Sequence, residues 1–98
     1  MMVIEWLCIE VPVAEQAPYL AQDAAIWTAA LARNTGYLGK EVWVRPDKPT
    51  TLNLIIRWAS LTDWKAVPAA LLAQSDAAFQ AALGKVYPVQ ECITYEVR

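Results

Sequence analysis

The chain has 98 residues, 57% of them apolar and only 18% charged, with a net charge of −2, five tryptophans and no histidine. Ordinary globular domains lie near ~45–50% apolar and ~25% charged, so this chain carries more apolar surface than one small core hides. The balance excludes the basic footprint of a nucleic-acid binder, and the missing histidine excludes a histidine-ligated metal and a histidine-activated nucleophile.

A single domain over residues 1–98 is expected. Glu5, Glu10, Glu15 and Asp23 interrupt the apolar N-terminal half, so no run approaches the roughly 20 residues of a membrane span. Association with a partner accounts for the apolar excess better than a membrane does. The first eleven residues have no basic leader and no small-residue cleavage site, so they are not read as a signal peptide. Cys8 and Cys92 stand far apart with no close Cys–Cys spacing, the pattern of buried thiols in a reducing cytoplasm.

Residues 2–11 are rich in Val and Ile and end at Pro12, which suits a strand. Met2, Ile4, Trp6 and Cys8 project to one side and Val3, Leu7, Ile9 and Val11 to the other, so cover is expected on both faces; the facing of Trp6 is left open. Residues 14–33 read as a helix, with Leu20, Ala24, Trp27 and Leu31 stacked at three- and four-residue steps. Pro18 belongs in a first helical turn, which moves the expected regular start to as late as Ala17. Asn34-Thr35-Gly36 ends the helix.

Strands are expected at 37–45 and 51–59 around a Pro46–Thr50 loop, as a hairpin. Leu52, Leu54, Ile56 and Trp58 form an apolar face that should receive the helices, while Asn53, Ile55 and Arg57 form a mixed one. In simple register Glu41 lies opposite Arg57 on the mixed face, beside Trp43. Ser60 and Asp63 have the spacing of a capping box, so a short helical turn carrying Trp64 begins there. Pro68 restarts the helix, Leu71, Leu72, Phe79 and Leu83 lie on one side of residues 68–83, and Gly84 stops it. Val89, Ile93, Tyr95 and Val97 alternate in a last strand over 89–97.

The order strand, helix, strand, strand, helix, strand gives an α+β, ferredoxin-like βαββαβ fold: a four-stranded antiparallel sheet with two helices on one face. Two helices cover one face only. The other carries enough apolar groups, among them Trp43 and Ile55, to require a second sheet, most simply from an identical chain.

The chain resembles the antibiotic-biosynthesis monooxygenase-like proteins of the dimeric α/β-barrel superfamily, over essentially its whole length. The marks are Gly36-Tyr37 after the helix, and Leu54-Ile55-Ile56-Arg57-Trp58-Ala59-Ser60 followed by Trp64. Ile26-Trp27-Thr28-Ala29-Ala30-Leu31 and Gly39-Lys40-Glu41-Val42-Trp43 look most like a small, mainly cyanobacterial branch. The resemblance implies a dimeric barrel with a ligand cavity between sheet and helices. Among its members some oxidise aromatic polyketides without metal or flavin, some degrade haem, and many have no known reaction. The haem-degrading members use an Asn on the first strand, a Trp nine residues beyond the counterpart of Trp58, and a His ten residues further on. Here the strand has no Asn and the other two places hold Val67 and Ala77.

Trp27, Trp58, Trp64 and Phe79, with Tyr19, are the expected ligand-binding residues, placed to clamp a flat hydrophobic molecule. Tryptophan more commonly fills a small core, and a cavity should show several convergent polar groups, here sought in Tyr19, Thr28, Tyr87 and Asp63. The two roles part on whether a void of a few hundred Å³ exists. Arg57 and Glu41 read as a structural charge pair at the dimer interface with Trp43 and Ile55. Glu5 and Glu10 face opposite sides of a strand, so they form no paired-carboxylate site. No phosphate loop can be built from Gly36, Gly39 and Gly84, no metal site is expected, and no cofactor is expected. The function expected is a cytoplasmic homodimer binding a small hydrophobic or aromatic molecule between sheet and helices, with cofactor-independent monooxygenase activity as its reaction. The alternative is a non-catalytic regulatory, scaffolding or ligand-sequestering dimer.

Overall fold

A computed structural model describes residues Met1–Arg98. In chain order the elements are β1 (Val3–Glu10), α1 (Val13–Gln22), a π-helical turn (Asp23–Thr28), α2 (Ala29–Leu31), β2 (Tyr37–Arg45), β3 (Lys48–Trp58), α3 (Leu61–Lys65), α4 (Ala69–Leu83) and β4 (Val89–Glu96). The strands pair antiparallel in the order β2-β3-β1-β4. This is the expected ferredoxin-like sheet with its helices on one face.

Alternation along β1 and β3 decides which side chains those helices cover. Ile9, Val11, Leu52 and Leu54 join Tyr19 and Phe79 in one core cluster, and Val3, Ile56 and Trp58 join Leu31 and Val67 in a second. Leu7 and Trp27, both partly buried, pack against both clusters. Ser60 accepts the Asp63 backbone N–H at 3.1 Å, which starts α3 as the capping spacing predicts.

Two irregular strand pairings set the faces of the outer strands. Between Tyr37 and Gly39 the register with β3 slips, so Gly39 rather than Glu41 lies opposite Arg57 and Lys40 lies opposite Ile56. Gly39 has φ +146°, a backbone state that residues with a Cβ rarely adopt. A strict alternation from Tyr37, whose ring packs edge-on against Trp58, would put Lys40 on the open face. The bulge inverts that parity, sending Lys40 toward the helices and Glu41 and Trp43 to the open face. A second slip, between Cys8 and Ile9, pairs Ile9 with Val89 and separates Val89 from Ile93 and Tyr95, which lie beside Trp6 and Ile4. The expected single face for Val89, Ile93 and Tyr95 is therefore split.

The helices also depart from the regular pattern. α1 starts at Val13, with Pro18 inside it, not at Ala17. Pro18 and Ala14, the residue whose carbonyl loses its helical donor, are both exposed, so the missing bond falls on the solvent side of the helix. The hairpin turn is Pro46-Asp47 alone, and Lys48–Thr50 extend β3. Pro49 can join the strand because it lies past Glu10↔Thr51, the last pair with β1, where no ladder bond is needed. Cys8 and Cys92 are free, and Cys92 is exposed rather than buried. They lie on neighbouring strands but on opposite faces, since Cys92 pairs with Leu7.

Candidate active site

Between the sheet and the helices lies a cavity of about 510 Å³. Its floor is Leu7, Ile9, Leu54 and Ile56 from β1 and β3, and its roof includes Tyr19, Trp27 and Leu31 from the first helical stretch and Phe79 from α4. Tyr19, Asp23, Trp27 and Leu31 all line it, four residues apart. In an α-helix each four-residue step drifts by about 40°, which over three steps would carry Leu31 well away from Tyr19. The π turn corrects this. The Ala29 N–H reaches back five residues to the Ala24 carbonyl, widening the turn so that these side chains keep one direction.

Of the five predicted ligand-binding residues, Tyr19, Trp27, Trp64 and Phe79 meet on the cavity. Trp58 does not line it: its side chain is fully buried in the second core cluster, behind the cavity wall. It is a core tryptophan, packed in one cluster with Val3, Leu31, Ile56 and Val67. Among the polar candidates Tyr87 lines the cavity, whereas Thr28 and Asp63 do not. The Tyr19 ring meets Phe79 and Tyr87 edge-on, each at 5.2 Å, making an aromatic wall. Burial, with the Asp23 carboxylate nearby, holds the Tyr19 phenol well above its ordinary value, so it stays neutral.

Three ionisable residues outside the predicted set stand at one end of this apolar space: Glu5, Asp23 and Lys40. Lys40 Nζ lies 2.5 Å from Asp23 Oδ2, and both side chains are only 6% exposed. Buried charges of this kind survive only as pairs. Glu5 is on the same cross-strand row, since Lys40 pairs with Ile56 and Ile56 with Glu5. Unlike Asp23, it joins no ion pair.

Burial pushes the Glu5 carboxyl above its usual range, while the Trp58 indole N–H and the ammoniums of Lys40 and Lys65 draw it part of the way back. The Trp58 N–H lies near enough to favour the carboxylate but finds no acceptor of hydrogen-bond geometry; it is the only fully buried side-chain polar atom left unpaired. One signal in the sequence pointed here: Glu5 is the single acid in the inward-facing series Val3, Glu5, Leu7, Ile9.

At the mouth, Lys85 Nζ lies 2.7 Å from Glu15 Oε1, and the Tyr87 hydroxyl donates to the same oxygen. These contacts tie the segment after Gly84 to α1. No group of three His, Cys, Asp or Glu side chains is gathered as a metal site.

The opposite face of the sheet has its own, shallower hollow of about 220 Å³, lined by Ile4, Trp6, Trp43, Ile55 and Tyr95. Trp6, whose facing alternation alone left open, lies here and donates its indole N–H to Asn53 Oδ1 at 3.0 Å. Arg57 and Glu41 form the expected ion pair, reached diagonally across the bulge, and Trp43 Nε1 donates to the other Glu41 oxygen at 3.0 Å. Trp43 is 51% exposed, but Ile55 is already buried within the single chain, so it has little area to offer a partner. Ile93 and Tyr95 supply apolar surface in its place.

No protein-family model matches the sequence, and no curated protein matches it. Solved structures do. A mutant of SnoaB, a cofactor-independent oxygenase from Streptomyces nogalater, superposes with a TM-score of 0.70 at 19% identity, over 99% of this chain and 93% of that one. A Bordetella bronchiseptica protein, provisionally assigned as an antibiotic biosynthesis monooxygenase, gives a TM-score of 0.73 at 17% identity, over 99% and 97% of the two chains. This chain has the antibiotic biosynthesis monooxygenase fold. A conserved protein from Methanosarcina mazei gives a TM-score of 0.70 at 11% identity, over the whole of this chain and 94% of that one. The fold is thus shared at identities as low as 11%. No helix is long and apolar enough to cross a membrane.

Proposed function

We infer that this chain is a cytoplasmic homodimer that binds a small aromatic molecule between sheet and helices and oxidises it with dioxygen, without a cofactor. The observation that carries the reading is the cavity: about 510 Å³, walled by Tyr19, Trp27, Trp64 and Phe79, within the range that small-ligand sites occupy. SnoaB, of the same fold, is a cofactor-independent oxygenase. In such a reaction an activated methylene loses a proton and the substrate carbanion reduces dioxygen. One oxygen atom ends in a new carbonyl at the former methylene carbon, and the other leaves as water with the two methylene hydrogens. The protein has to supply a dry space, an orienting contact and a proton acceptor, which this cavity's composition suits.

The dimer reading rests on the open face. Trp6, Trp43, Ile93 and Tyr95 form an apolar surface there with no helix over it, and a second copy of the sheet matches it in extent and chemistry. Sedimentation at micromolar concentration should give a dimer; a stable monomer would remove this part of the reading.

The binding reading is tested by a thermal-stabilisation screen of quinones, polyketide-like phenols and tetrapyrroles. A ligand at one hundred times its Kd adds about 2.7 kcal/mol to stability, a rise of roughly 10 °C or more in Tm for a domain of this size. A rise confined to flat aromatics, followed by oxygen uptake with the tightest of them, supports the reading; no rise with any of them contradicts it.

A further inference from the structure

The cavity's polar end distinguishes one kind of aromatic ligand from others. Lys40 and Asp23 satisfy each other at 2.5 Å with almost no solvent contact, so neither is free to hold a ligand without leaving the other's charge buried alone. Glu5 is different. It lines the same cavity, takes part in no ion pair, and has beside it the unpaired, fully buried N–H of Trp58. A carboxylate has two oxygens, so one can meet Trp58 while the other faces the cavity. Lys40 and Asp23 cancel each other, so among the charged groups that line this end Glu5 alone is left unbalanced, while Lys65 acts on it from α3 without lining the cavity.

Such a site rejects anions and leaves an apolar hydrocarbon with nothing to bond. We propose that Glu5 is the ligand anchor, that Trp58 positions it, and that the cavity selects neutral aromatic molecules bearing a hydroxyl donor, phenols or enols, over both hydrocarbons and aromatic anions. This rests on the binding reading above and deepens it. The hydroxyl donates to Glu5, a charge-assisted bond stronger than a neutral one in a low-dielectric space. The rings then lie among Tyr19, Trp27, Trp64 and Phe79. In an oxidation, the carboxylate that holds the hydroxyl is also placed to take its proton.

The groups facing Glu5 from the surrounding elements are Lys40 on β2, Trp58 on β3, Asp23 on the π turn, Lys65 on α3 and Cys92 on β4. Within this set only Glu5 combines a negative charge with access to the cavity and no partner of its own.

The test uses three probes of one shape, 1-naphthol, naphthalene and 1-naphthoate, whose Kd values are measured by calorimetry at neutral pH on the wild-type chain and on Glu5→Gln. In the wild type, naphthol should bind about tenfold tighter than naphthalene and naphthoate should bind weakest, in keeping with the worth of a hydrogen bond to a charged group. In Glu5→Gln the naphthol preference should shrink severalfold and naphthoate should gain. In the wild type alone, lowering the pH until Glu5 is protonated should shrink the same preference, which keeps the test independent of the variant's folding. Naphthol no better than naphthalene, naphthoate tightest, or a preference untouched by both Glu5→Gln and low pH would overturn the proposal while leaving a ligand cavity standing. Failure of all three probes to bind would overturn the cavity reading and this one with it.

Discussion

Both faces of the sheet carry aromatic side chains, and they use them differently. Under the helices, Tyr19, Trp27, Trp64 and Phe79 surround a space of about 510 Å³ that ends in a buried ion pair and an unpaired carboxylate. On the open face, Trp6 and Trp43 flank a hollow of about 220 Å³ and bond only to neighbouring side chains, Asn53 and Glu41. The first arrangement holds charge where water is scarce, a costly state that gathers at functional sites. The second leaves ring faces in water with their polar atoms already satisfied, which suits a flat partner. Aromatic content alone therefore does not distinguish a ligand site from an assembly surface; the state of the polar atoms beside it does.

The largest effect should come from the inner face. Lys40→Met leaves Asp23 buried without its partner and should cost about 3–5 kcal/mol in urea unfolding, a large part of the stability of a small domain. The double variant Asp23→Asn, Lys40→Met should recover most of that loss. Equal loss in the single and double variants would mean that the pair matters for packing and not for charge.

On the open face, Trp43→Ala should raise the dimer dissociation constant by at least about thirtyfold, the 2 kcal/mol typical of an interface anchor, while leaving ligand affinity unchanged. Sedimentation and calorimetry together separate these readouts. A change in ligand affinity without a change in association would exchange the roles assigned to the two faces.

Gly39 joins the two faces, because its bulge sends Lys40 one way and Trp43 the other. A Cβ on Gly39 meets nothing within 4 Å, so Gly39→Ala is strained by its φ alone and should cost about 1–3 kcal/mol. It should weaken dimerisation and ligand binding together, the only one of these variants to do so.

Glu5→Gln should have the smallest effect on stability and the opposite sign. The folded-state value of Glu5 lies above the ordinary 4.5. Below about that pH the residue is neutral whether the chain is folded or unfolded, and the substitution changes little. As pH rises from there, the unfolded chain ionises first and burying the charge becomes a growing penalty, complete once the folded-state value is passed. At neutral pH Glu5→Gln should therefore melt higher than the wild type, with the gain fading in melts run toward pH 4.

The sheet and its element order were legible from the chain because Leu52, Leu54, Ile56 and Trp58 alternate without a break and Val3, Leu7 and Ile9 answer them on the neighbouring strand. Trp27 and Phe79 were legible as residues of the covered helix sides, because they fall in the series Leu20, Ala24, Trp27, Leu31 and Leu71, Leu72, Phe79, Leu83; Tyr19 and Trp64 belong to no such series. The inner polar end was harder to see. Lys40 reaches the cavity only through the bulge at Gly39, and alternation from Tyr37 points it the wrong way. Asp23 keeps line with Tyr19 and Trp27 only because the helix widens there, a departure from the 3.6-residue period on which such readings depend. Glu5 was visible as an acid in an apolar series, but only the fold shows that its surroundings leave it unpaired.

A crystal structure of the chain grown with 1-naphthol tests the division between the two faces most directly. That division puts the naphthol ring among Trp27, Trp64 and Phe79, its hydroxyl on Glu5, and a second copy packed over Trp43. Naphthol seated in the open-face hollow beside Trp6 and Trp43, with the inner cavity closed by its own side chains, would contradict it.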